Sequence, residues 1–329
     1  MRVTIKDVAR LARVSTATVS RALSTSELVN VDTRERVRRA ADDLGYSPNR
    51  AARGLITGRT GNLGLIVPDL ANPFFPGVVK GIQARAREVD YAVFLADSDE
   101  DPAAEAHLVR ALSKQVDGLL LCSPRMSEDD LRSIAGETPM ILLNRRAARM
   151  PAVTFDNLGG MRQAVAHLAA LGHRRIAWVG GPTGSWSNQD RIRCLRTVVA
   201  AAQVDLVEIG DALPRFAGGV AAAEPVLAAD VTAVIAYNDL IALGLLSRFN
   251  ALAVGIPDRL SIVGIDDIAL SEMVHPSLTT VALAQELSGR TGVDLLLSLL
   301  ENPEQAGSSS RELQARLMIR GSTGPAPST

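Results

Sequence analysis

The sequence predicts an α/β protein in which a small helical head precedes a larger, doubly wound body. Short helical patterns that begin with capping residues fill residues 1–46, and apolar strand-like runs alternate with helical periodicity from residue 61 onward. The charge divides at the same place. Residues 1–60 carry twelve Lys and Arg against six Asp and Glu, a net of +6, whereas residues 61–329 carry 23 against 30, a net of −7. A basic head on an acidic body indicates a polyanion-binding module joined to a body with another role.

The head has the pattern of three short helices. Thr4–Asp7 and Asp32–Glu35 each resemble a capping box, with a hydroxyl or acid followed three residues later by an acid. Ser15 is placed to cap the second helix, and Gly45 stands where a helix ends in the left-handed conformation. The apolar residues at helical spacing are Val8, Leu11 and Ala12, then Val19, Ala22 and Leu23, then Val37, Ala40, Ala41 and Leu44.

Two helices joined by a tight turn are typical of the helix-turn-helix unit, whose second helix enters the major groove by its N-terminal end. Thr16, Ala17 and Arg21 fall outside the apolar set of that helix. Arg is the commonest specific contact to guanine, and Thr and Ala suit the methyl group of thymine. An exposed helix with no role in DNA binding is the alternative, which the capping, spacing and charge together disfavour.

The segment after the head has an unusual composition. Pro48 disfavours a helical residue before it, and Asn49 fits the N-cap of a helix of barely two turns. Leu55 is an apolar side chain in an otherwise polar, basic stretch, which is what a minor-groove wedge requires. An ordinary linker is the alternative interpretation.

The body contains near-continuous runs of Val, Ile and Leu that end in small or polar residues, as buried parallel strands do. Helices are predicted from Phe75 to Val89 and from Ala103 to Lys114. The alternation indicates a doubly wound sheet, whose ligands bind at the carboxyl ends of its strands. The strand candidates are NLGLIVPD, YAVFLAD, DGLLLCS, PMILLN, RRIAWVGG, TAVIAYND and LSIVGIDD.

Polar residues collect where these strand candidates end. Asp69, Asn238 and Asp266 each follow such a run, as do Asp239 and Asp267 one residue later. Asp and Asn at these places either contact a ligand or cap the next helix. For Asp239 and Asp267 we favour helix capping.

Several classes of protein are disfavoured by what the chain lacks. No strand candidate is followed by G-x-G-x-x-G, a P-loop is absent, and neither the four histidines nor Cys122 and Cys194 form a catalytic or metal-binding pattern. We therefore predict no enzyme, cofactor or metal; an α/β enzyme with a nucleic-acid-binding head is the less favoured alternative. The chain shows neither a signal peptide nor an apolar run of membrane-spanning length, so we expect a cytoplasmic protein rather than a transport-linked binding protein.

Three stretches, VTIKDVARLARVSTATVSRAL, TRERVRRAADDLGYSPNRAARGL and GLIVPDLANPFF, resemble the lactose repressor–galactose repressor (LacI/GalR) family of bacterial transcription regulators. The resemblance covers nearly the whole chain. It implies a homodimeric regulator, usually a repressor, that binds a palindromic operator and responds to a small molecule. It also implies a body like a periplasmic sugar-binding protein, made of two doubly wound parallel-sheet subdomains. The implied domains are a helix-turn-helix head (1–46), a hinge helix and linker (47–60), an N-terminal effector subdomain (61–172 plus 286–312) and a C-terminal effector subdomain (173–285 plus 313–329).

The resemblance also assigns roles to the residues that match the DNA-binding motifs of the family. The leucine that matches Leu55 inserts with its twin into the minor groove at the centre of the operator. By this resemblance the base readers are Thr16, Ala17 and Arg21. The minor-groove contacts are Ala52, Arg53 and Leu55, and the phosphate contacts are Thr4, Ser15, Thr18, Ser20, Thr33 and Asn49.

The effector is expected between the two subdomains. Arg, Asp and Asn side chains suit vicinal hydroxyl groups, and an aromatic ring can cover the apolar face of a sugar, so a sugar is the favoured effector. A purine or nucleoside that acts as a corepressor is the alternative. Cys194 stands where the family usually has glycine, beside this pocket, so the resemblance does not give the identity of the effector. The implied contacts are Asp69, Phe74, Arg191, Asn238, Asp266 and Gln285; Trp186 and Phe216 are either further walls or packing residues.

Overall fold

The computed structural model of this protein describes residues 3–24, 29–46, 59–134, 138–302 and 310–327. These residues fall into two compact units, Met1–Gly61 and Asn62–Thr329, and we describe each unit by itself. The predicted hinge contacts Asn49, Ala52, Arg53 and Leu55 lie outside the described residues.

The head consists of the three predicted helices, α1 (Ile5–Ala12), α2 (Thr16–Ser24) and α3 (Val31–Asp43). The capping box at the start of α1 is present. The backbone N–H and the hydroxyl of Thr4 donate to Asp7 Oδ2 at 3.0 and 2.7 Å. These two bonds occupy groups at the helix start that would otherwise need water.

Of the other two helices, α2 begins at the predicted cap and α3 does not. Ser15 Oγ accepts the N–H of Thr18 at 3.1 Å, as expected for the cap of α2. The cap of α3 is Asn30, whose Oδ1 accepts the N–H of Asp32 at 2.9 Å, so the predicted capping box at Asp32 is wrong. Gly45 follows α3 with φ +61°, the left-handed conformation that its position predicted.

A small apolar core joins the three helices of the head. Leu11, which its spacing assigned to the inner face, is 52% exposed, and Ala9 is buried instead. Arg36 Nε donates to the carbonyl of Ala12 at 3.0 Å and so ties α3 to the end of α1. The buried apolar residues are Val8, Ala9, Ala12, Val19, Ala22, Val37, Ala40 and Ala41.

The body contains two sheets of six strands each within the described residues. The first has the order β11-β5-β4-β3-β1-β2, with every pairing parallel. Its strands are β1 (Asn62–Val67), β2 (Ala92–Asp97), β3 (Gly118–Cys122), β4 (Met140–Leu143), β5 (Ala152–Phe155) and β11 (Arg311–Leu313). The helices between and beside these strands are α4 (Phe74–Glu88), α5 (Pro102–Leu112), α6 (Glu128–Ile134) and α12 (Gln285–Glu301).

The second sheet repeats this arrangement with the order β12-β10-β9-β8-β6-β7. Only β12 runs antiparallel to its neighbour, β10. The strands are β6 (Arg175–Val179), β7 (Asp205–Ile209), β8 (Ala233–Ala236), β9 (Ser261–Asp266), β10 (Thr279–Leu283) and β12 (Ala315–Met318). The helices are α7 (Asn157–Ala170), α8 (Trp186–Ala202), α9 (Phe216–Ala228), α10 (Asp239–Ala251) and α11 (Leu270–Met273).

All seven strand candidates form strands, while β5, β7, β10, β11 and β12 were not predicted. The first crossover between subdomains also lies earlier than predicted. The sequence assigned residues up to Gly172 to the first subdomain, but β5 ends at Phe155, and the following helix α7 packs against α8, β10 and β12 of the second. A helix can pack on either sheet, so helical periodicity alone does not show where the chain crosses.

Both sheets bring their first and third strands side by side, because the chain runs outward to an edge strand and then crosses back. In the first sheet β1 lies between β2 and β3, and in the second β6 lies between β7 and β8. Such a switch point leaves a crevice at the carboxyl ends of the strands. No helix in the described part of the chain has the length and apolar character needed to cross a bilayer.

Candidate nucleic-acid interface and ligand cleft

The second helix of the head has one buried face and one exposed face. Val19 and Ala22 lie in the core, whereas Thr16, Ala17 and Arg21 are exposed. Arg21 Nε donates to the carbonyl of Ala17 at 3.3 Å, which orients the side chain along its own helix. The three predicted base readers therefore share the exposed side of α2.

The predicted phosphate contacts are distributed around this helix. Thr4 and Ser15 are exposed at the starts of α1 and α2, and their hydroxyl groups bond to Asp7 and Thr18. Thr18, Ser20 and Thr33 are half-buried. A hydroxyl group has one donor and two acceptor positions, so a side chain that already caps a helix can still bond to phosphate.

The body contains a small cleft at the carboxyl ends of the central strands of both sheets. Residues that follow β1, β2, β3 and β4 form one wall, and residues that follow β6, β7 and β8 or end β9 form the other. The lining residues are Asn72, Phe74, Phe75, Glu100, Ser123, Arg125, Asn144, Arg191, Pro214, Tyr237, Asn238 and Asp266.

Four of the predicted effector contacts line this cleft, namely Phe74, Arg191, Asn238 and Asp266, and four do not. The carboxylate of Asp69 is occupied by the N–H of Ala71 and by Arg215 Nε, both at 2.9 Å. Gln285 lies behind the wall, where its Nε2 donates to the carbonyl of Asp266 at 2.9 Å. Trp186 and Phe216 begin α8 and α9, half-buried and exposed respectively.

Arg191 lies in the cleft wall and is only 2% exposed. Its Nη1 donates to the carbonyl of Tyr237 at 2.6 Å, its Nη2 reaches Asp266 Oδ1 at 3.5 Å, and its Nε has no partner. The guanidinium also lies over the ring of Tyr237, 5.0 Å from the centroid. A buried donor without a partner is costly, so this side chain is prepared to bind a ligand acceptor.

Asn144, on the opposite wall, has a buried acceptor atom without a hydrogen-bond partner. Its Nδ2 donates to Ser123 Oγ at 2.9 Å, while its buried Oδ1 accepts no bond. Both residues follow strands of the first sheet and adopt the left-handed conformation, with φ +46° for Ser123 and +56° for Asn144. Non-glycine residues in this conformation cluster at functional sites.

Asp266 carries a strongly perturbed carboxyl group. Burial raises the pKa of Asp266 well above its ordinary value, and Asp239 raises it further, although Arg191 opposes the shift. Burial also raises the pKa of Asp239, to about 6. Asp239 accepts bonds from Thr280 Oγ1 at 2.6 Å, from Ser271 Oγ at 2.8 Å and from the backbone N–H of Ile268 at 2.9 Å.

The fold gives two neighbouring residues roles that the sequence did not predict. Asn238, expected to contact the effector, is the N-cap of α10: its Oδ1 accepts the N–H of Ile241 at 2.9 Å and its Nδ2 donates to the carbonyl of Pro214 at 3.0 Å. Asp239, interpreted as a helix cap, instead supports the loop behind Asp266. The amide of Asn238 is thus engaged within the protein although the residue lines the cleft.

Sequence reasoning missed the charged pair Glu100 and Arg125. Arg125 Nε and Nη2 donate to the two carboxylate oxygens of Glu100 at 2.5 and 3.0 Å. The signal that could have found this pair, and Ser123 and Asn144, is their position after β2, β3 and β4. The rule that ligands bind at carboxyl ends applies to those strands too.

The described ranges contain no group of three His, Cys, Asp or Glu side chains that could hold a metal ion. Cys122 and Cys194 are both free and buried, and burial raises the pKa of each thiol. Since the thiolate is the reactive form, neither cysteine has the surroundings of a nucleophile.

Comparisons with known proteins agree with both units. A family model described as "Bacterial regulatory proteins, lacI family" matches residues 4–49, and one described as "Periplasmic binding protein-like domain" matches residues 165–323. The chain is 34% identical to the HTH-type transcriptional repressor CytR of Escherichia coli (strain K12), over 98% of this chain and 97% of that protein.

Solved structures also match over nearly the full length. The lac repressor dimer bound to operator and the anti-inducer ONPF superposes with a TM-score of 0.86 at 28% identity, covering 98% of this chain and 100% of the other. The complex of the transcriptional regulator CelR with cellobiose matches with a TM-score of 0.72 at 32% identity, with the same coverage.

Proposed function

We propose, from the premise that this chain belongs to the LacI family of bacterial regulatory proteins, that it is a repressor whose affinity for DNA depends on a sugar bound in its cleft. The family consists of DNA-binding transcription regulators, and the protein is not an enzyme. It acts as a homodimer in the cytoplasm, where each head binds one half of a palindromic operator.

The exposed side of α2 supports the DNA-binding part of this proposal. Thr16, Ala17 and Arg21 lie at and near the N-terminal end of a second helix that follows a tight turn, the position that reads base edges in helix-turn-helix proteins. The lac repressor dimer, to which this chain is similar, is bound to operator in its solved structure. Thr4, Ser15, Thr18, Ser20 and Thr33 are the proposed phosphate contacts.

The hinge roles of Asn49, Ala52, Arg53 and Leu55 rest on the family resemblance, because these residues lie outside the described ranges. Leu55→Ala is expected to weaken operator affinity and to leave effector affinity unchanged. Parallel loss of both affinities would assign Leu55 to the fold rather than to the minor groove.

The single observation that carries the sugar proposal is that two residues that line one cleft each have an unsatisfied polar atom. Arg191 Nε is a buried donor without an acceptor, and Asn144 Oδ1 is a buried acceptor without a donor. A hydroxyl group both accepts and donates, so a polyhydroxylated ligand can satisfy both atoms. Phe74 lies in the same lining and can cover the apolar face of a sugar ring. The CelR structure contains cellobiose.

The aromatic lining favours one alternative effector. Phe74, Phe75 and Tyr237 all line the cleft, and Phe74 and Phe75 lie edge to face with centroids 5.2 Å apart. Aromatic walls can also stack on a purine or nucleoside base, which would then act as a corepressor. Calorimetry with free sugars and with nucleosides separates the two effector classes.

The test of the proposed function measures binding to DNA with and without ligand. Duplexes tiled across the region upstream of the protein's own gene are titrated by fluorescence anisotropy, first alone and then with each sugar and nucleoside. We expect one palindromic duplex to bind and one sugar to change its affinity. Coupling between two sites is reciprocal, so that duplex must change the sugar affinity by the same factor. Binding to no duplex under any of these conditions would contradict the proposal.

A further inference from the structure

Glu100 lines the cleft and pairs there with Arg125. Four carboxyl or guanidinium side chains line the cleft: Glu100 and Asp266 are acidic, and Arg125 and Arg191 are basic. Arg125 is bonded to both oxygens of Glu100, whereas Arg191 reaches Asp266 with one Nη atom. The positive charge of Arg125 is therefore already balanced by Glu100.

The hydrogen-bonding capacity of Arg125 is also largely used. Its Nε and Nη2 donate to Glu100, and its Nη1 donates to the carbonyl of Ser123 at 2.9 Å and reaches Ser185 Oγ at 3.4 Å. The paired N–H groups of a guanidinium form the fork that recognises a phosphate or carboxylate group. In this cleft the paired N–H groups of Arg125 are occupied by the carboxylate of Glu100.

The loop that carries Arg125 is fixed by two further buried charges. Glu105 accepts the backbone N–H groups of Arg125 at 2.7 Å and of Met126 at 2.9 Å. Arg145 Nη1 donates to the carbonyls of Pro124 and Met126, both at 2.7 Å. The backbone that carries Arg125 is consequently held on both sides of that residue.

Glu100 is held in place as well. Its backbone N–H donates to the carbonyl of Pro68 at 2.7 Å, and its φ of +62° fixes the left-handed turn after β2. An entering phosphate would meet the carboxylate of Glu100. Burying a further negative charge beside this carboxylate is unfavourable unless a cation is free to pair with it.

We propose that Glu100 is a specificity-determining residue that restricts the cleft to uncharged effectors and excludes phosphorylated or carboxylated ones. The inference rests on the proposed effector site and narrows its ligand class. It implies that removing the charge of Glu100 exposes the Arg125 fork and creates an anion site.

The experiment uses the full-length protein and Glu100→Gln, which removes the charge of Glu100 but retains a carbonyl oxygen that can accept one bond from Arg125. Glu208→Gln is the matched control. Glu208 accepts from Arg196 Nε and Nη2 at 2.7 Å each, so it forms the same kind of bidentate pair as Glu100. Glu208→Gln removes one negative charge from such a pair, but on the edge strand β7, away from the cleft. Circular dichroism and thermal unfolding establish that each variant is folded.

Inorganic phosphate is the first probe, titrated by calorimetry at constant ionic strength. We expect Glu100→Gln to bind phosphate at least about tenfold more tightly than wild type and Glu208→Gln, because charge-assisted bonds to a freed guanidinium are strong. Adding Arg125→Met to Glu100→Gln should abolish the gain. Equal phosphate affinity in Glu100→Gln and Glu208→Gln would overturn the proposal.

The second probe is the matched pair ribose and ribose 5-phosphate, together with glucose and glucose 6-phosphate, on wild type. Wild type should bind no phosphorylated sugar more tightly than its parent sugar. Tighter binding of either phosphorylated sugar overturns the proposal, even where Glu100→Gln fails to fold. The phosphate titration needs neither operator nor effector, so failure of DNA binding and failure of this inference are separate results.

Discussion

Arg215 joins the two subdomains of the body by donating from Nε to Asp69 Oδ2 at 2.9 Å. Arg215 precedes α9 in the second subdomain, and Asp69 follows β1 in the first. A second bond runs from Arg215 Nη2 to Asp99 Oδ1 at 2.7 Å. One cation thus pairs with two carboxylates of the opposite subdomain, which favours the closed arrangement.

Arg215→Gln should open the cleft by removing the charge that balances Asp69 and Asp99. Because Arg215 is about half exposed, we expect a loss of roughly 1 kcal/mol in the free energy of unfolding, at the upper end for an exposed pair. Small-angle X-ray scattering should show a larger radius of gyration than wild type. Arg196→Gln, which breaks the pair with Glu208 within one subdomain, should leave that radius unchanged; an unchanged radius in both variants would contradict closure by Arg215.

Arg191→Lys should lower the affinity for the effector. Lys keeps the positive charge beside Asp266 but lacks the Nε donor and the planar contact with Tyr237. We expect a loss of about 1–3 kcal/mol in effector binding, the range for a hydrogen bond to a charged group, measured by calorimetry with the sugar found in the DNA-binding assay. Operator affinity in the absence of effector should not change. Equal effector affinity in the variant would place the ligand elsewhere.

The stability of the body should depend on the ionisation of Asp239. Its pKa is raised to about 6 by burial, so its contribution to stability is present below the unfolded value and is lost as pH rises through about 6. The groups around it are the hydroxyls of Thr280 and Ser271, the N–H of Ile268, and the carboxylates of Asp266 and Asp267. Among the residues that the structure describes, no basic side chain donates to its carboxylate.

Asp239→Asn removes this titration and keeps an acceptor for Ile268 and Ser271. Between about pH 4 and 7 the free energy of unfolding of wild type should fall relative to the variant by up to about 3 kcal/mol. Urea unfolding at several pH values measures the difference. The exposed substitution Asp230→Asn should follow wild type, and parallel pH profiles for wild type and Asp239→Asn would refute the prediction.

Arg21→Ala should relax operator specificity at one base pair. Its side chain lies on the exposed face of α2, where a bidentate contact to guanine would be worth about 1–3 kcal/mol of discrimination. Anisotropy measurements on operators substituted at each position should show discrimination lost at one position only. Arg10→Ala, an exposed arginine of α1 that pairs with Asp7, should change no base preference. A uniform loss at every position would instead make Arg21 a phosphate contact.

The head could be predicted almost completely from the sequence, because its structure depends on neighbours in the chain. The N-cap Ser15, the capping box at Thr4 and the helix-ending Gly45 each involve only a few neighbouring residues. A short sequence pattern is therefore enough to predict them. The errors were local too. Asn30 rather than Asp32 caps α3. Both Asn and Asp can cap a helix, and the conformation of the backbone before the helix determines which residue does so.

The body could be predicted as strands and helices but not as two assigned subdomains. Long apolar runs identified the central strands, whereas short strands such as Ala152–Phe155 left too few residues for a pattern. The periodicity of α7 showed a helix with an apolar face but not which sheet that face covers. Gly172 was therefore placed on the wrong side of the first crossover.

By itself, the sequence determined the class of this protein, the exposed face of the second helix of its head and four of the side chains that line its cleft. Only the tertiary structure decided what those side chains do. The bond from Arg125 to Glu100 spans 25 positions, that from Arg191 to Asp266 spans 75, and that from Arg215 to Asp69 spans 146. Buried charges are stabilised by whichever opposite charges the fold places beside them, and the fold sets those distances by sheet order rather than by position in the chain.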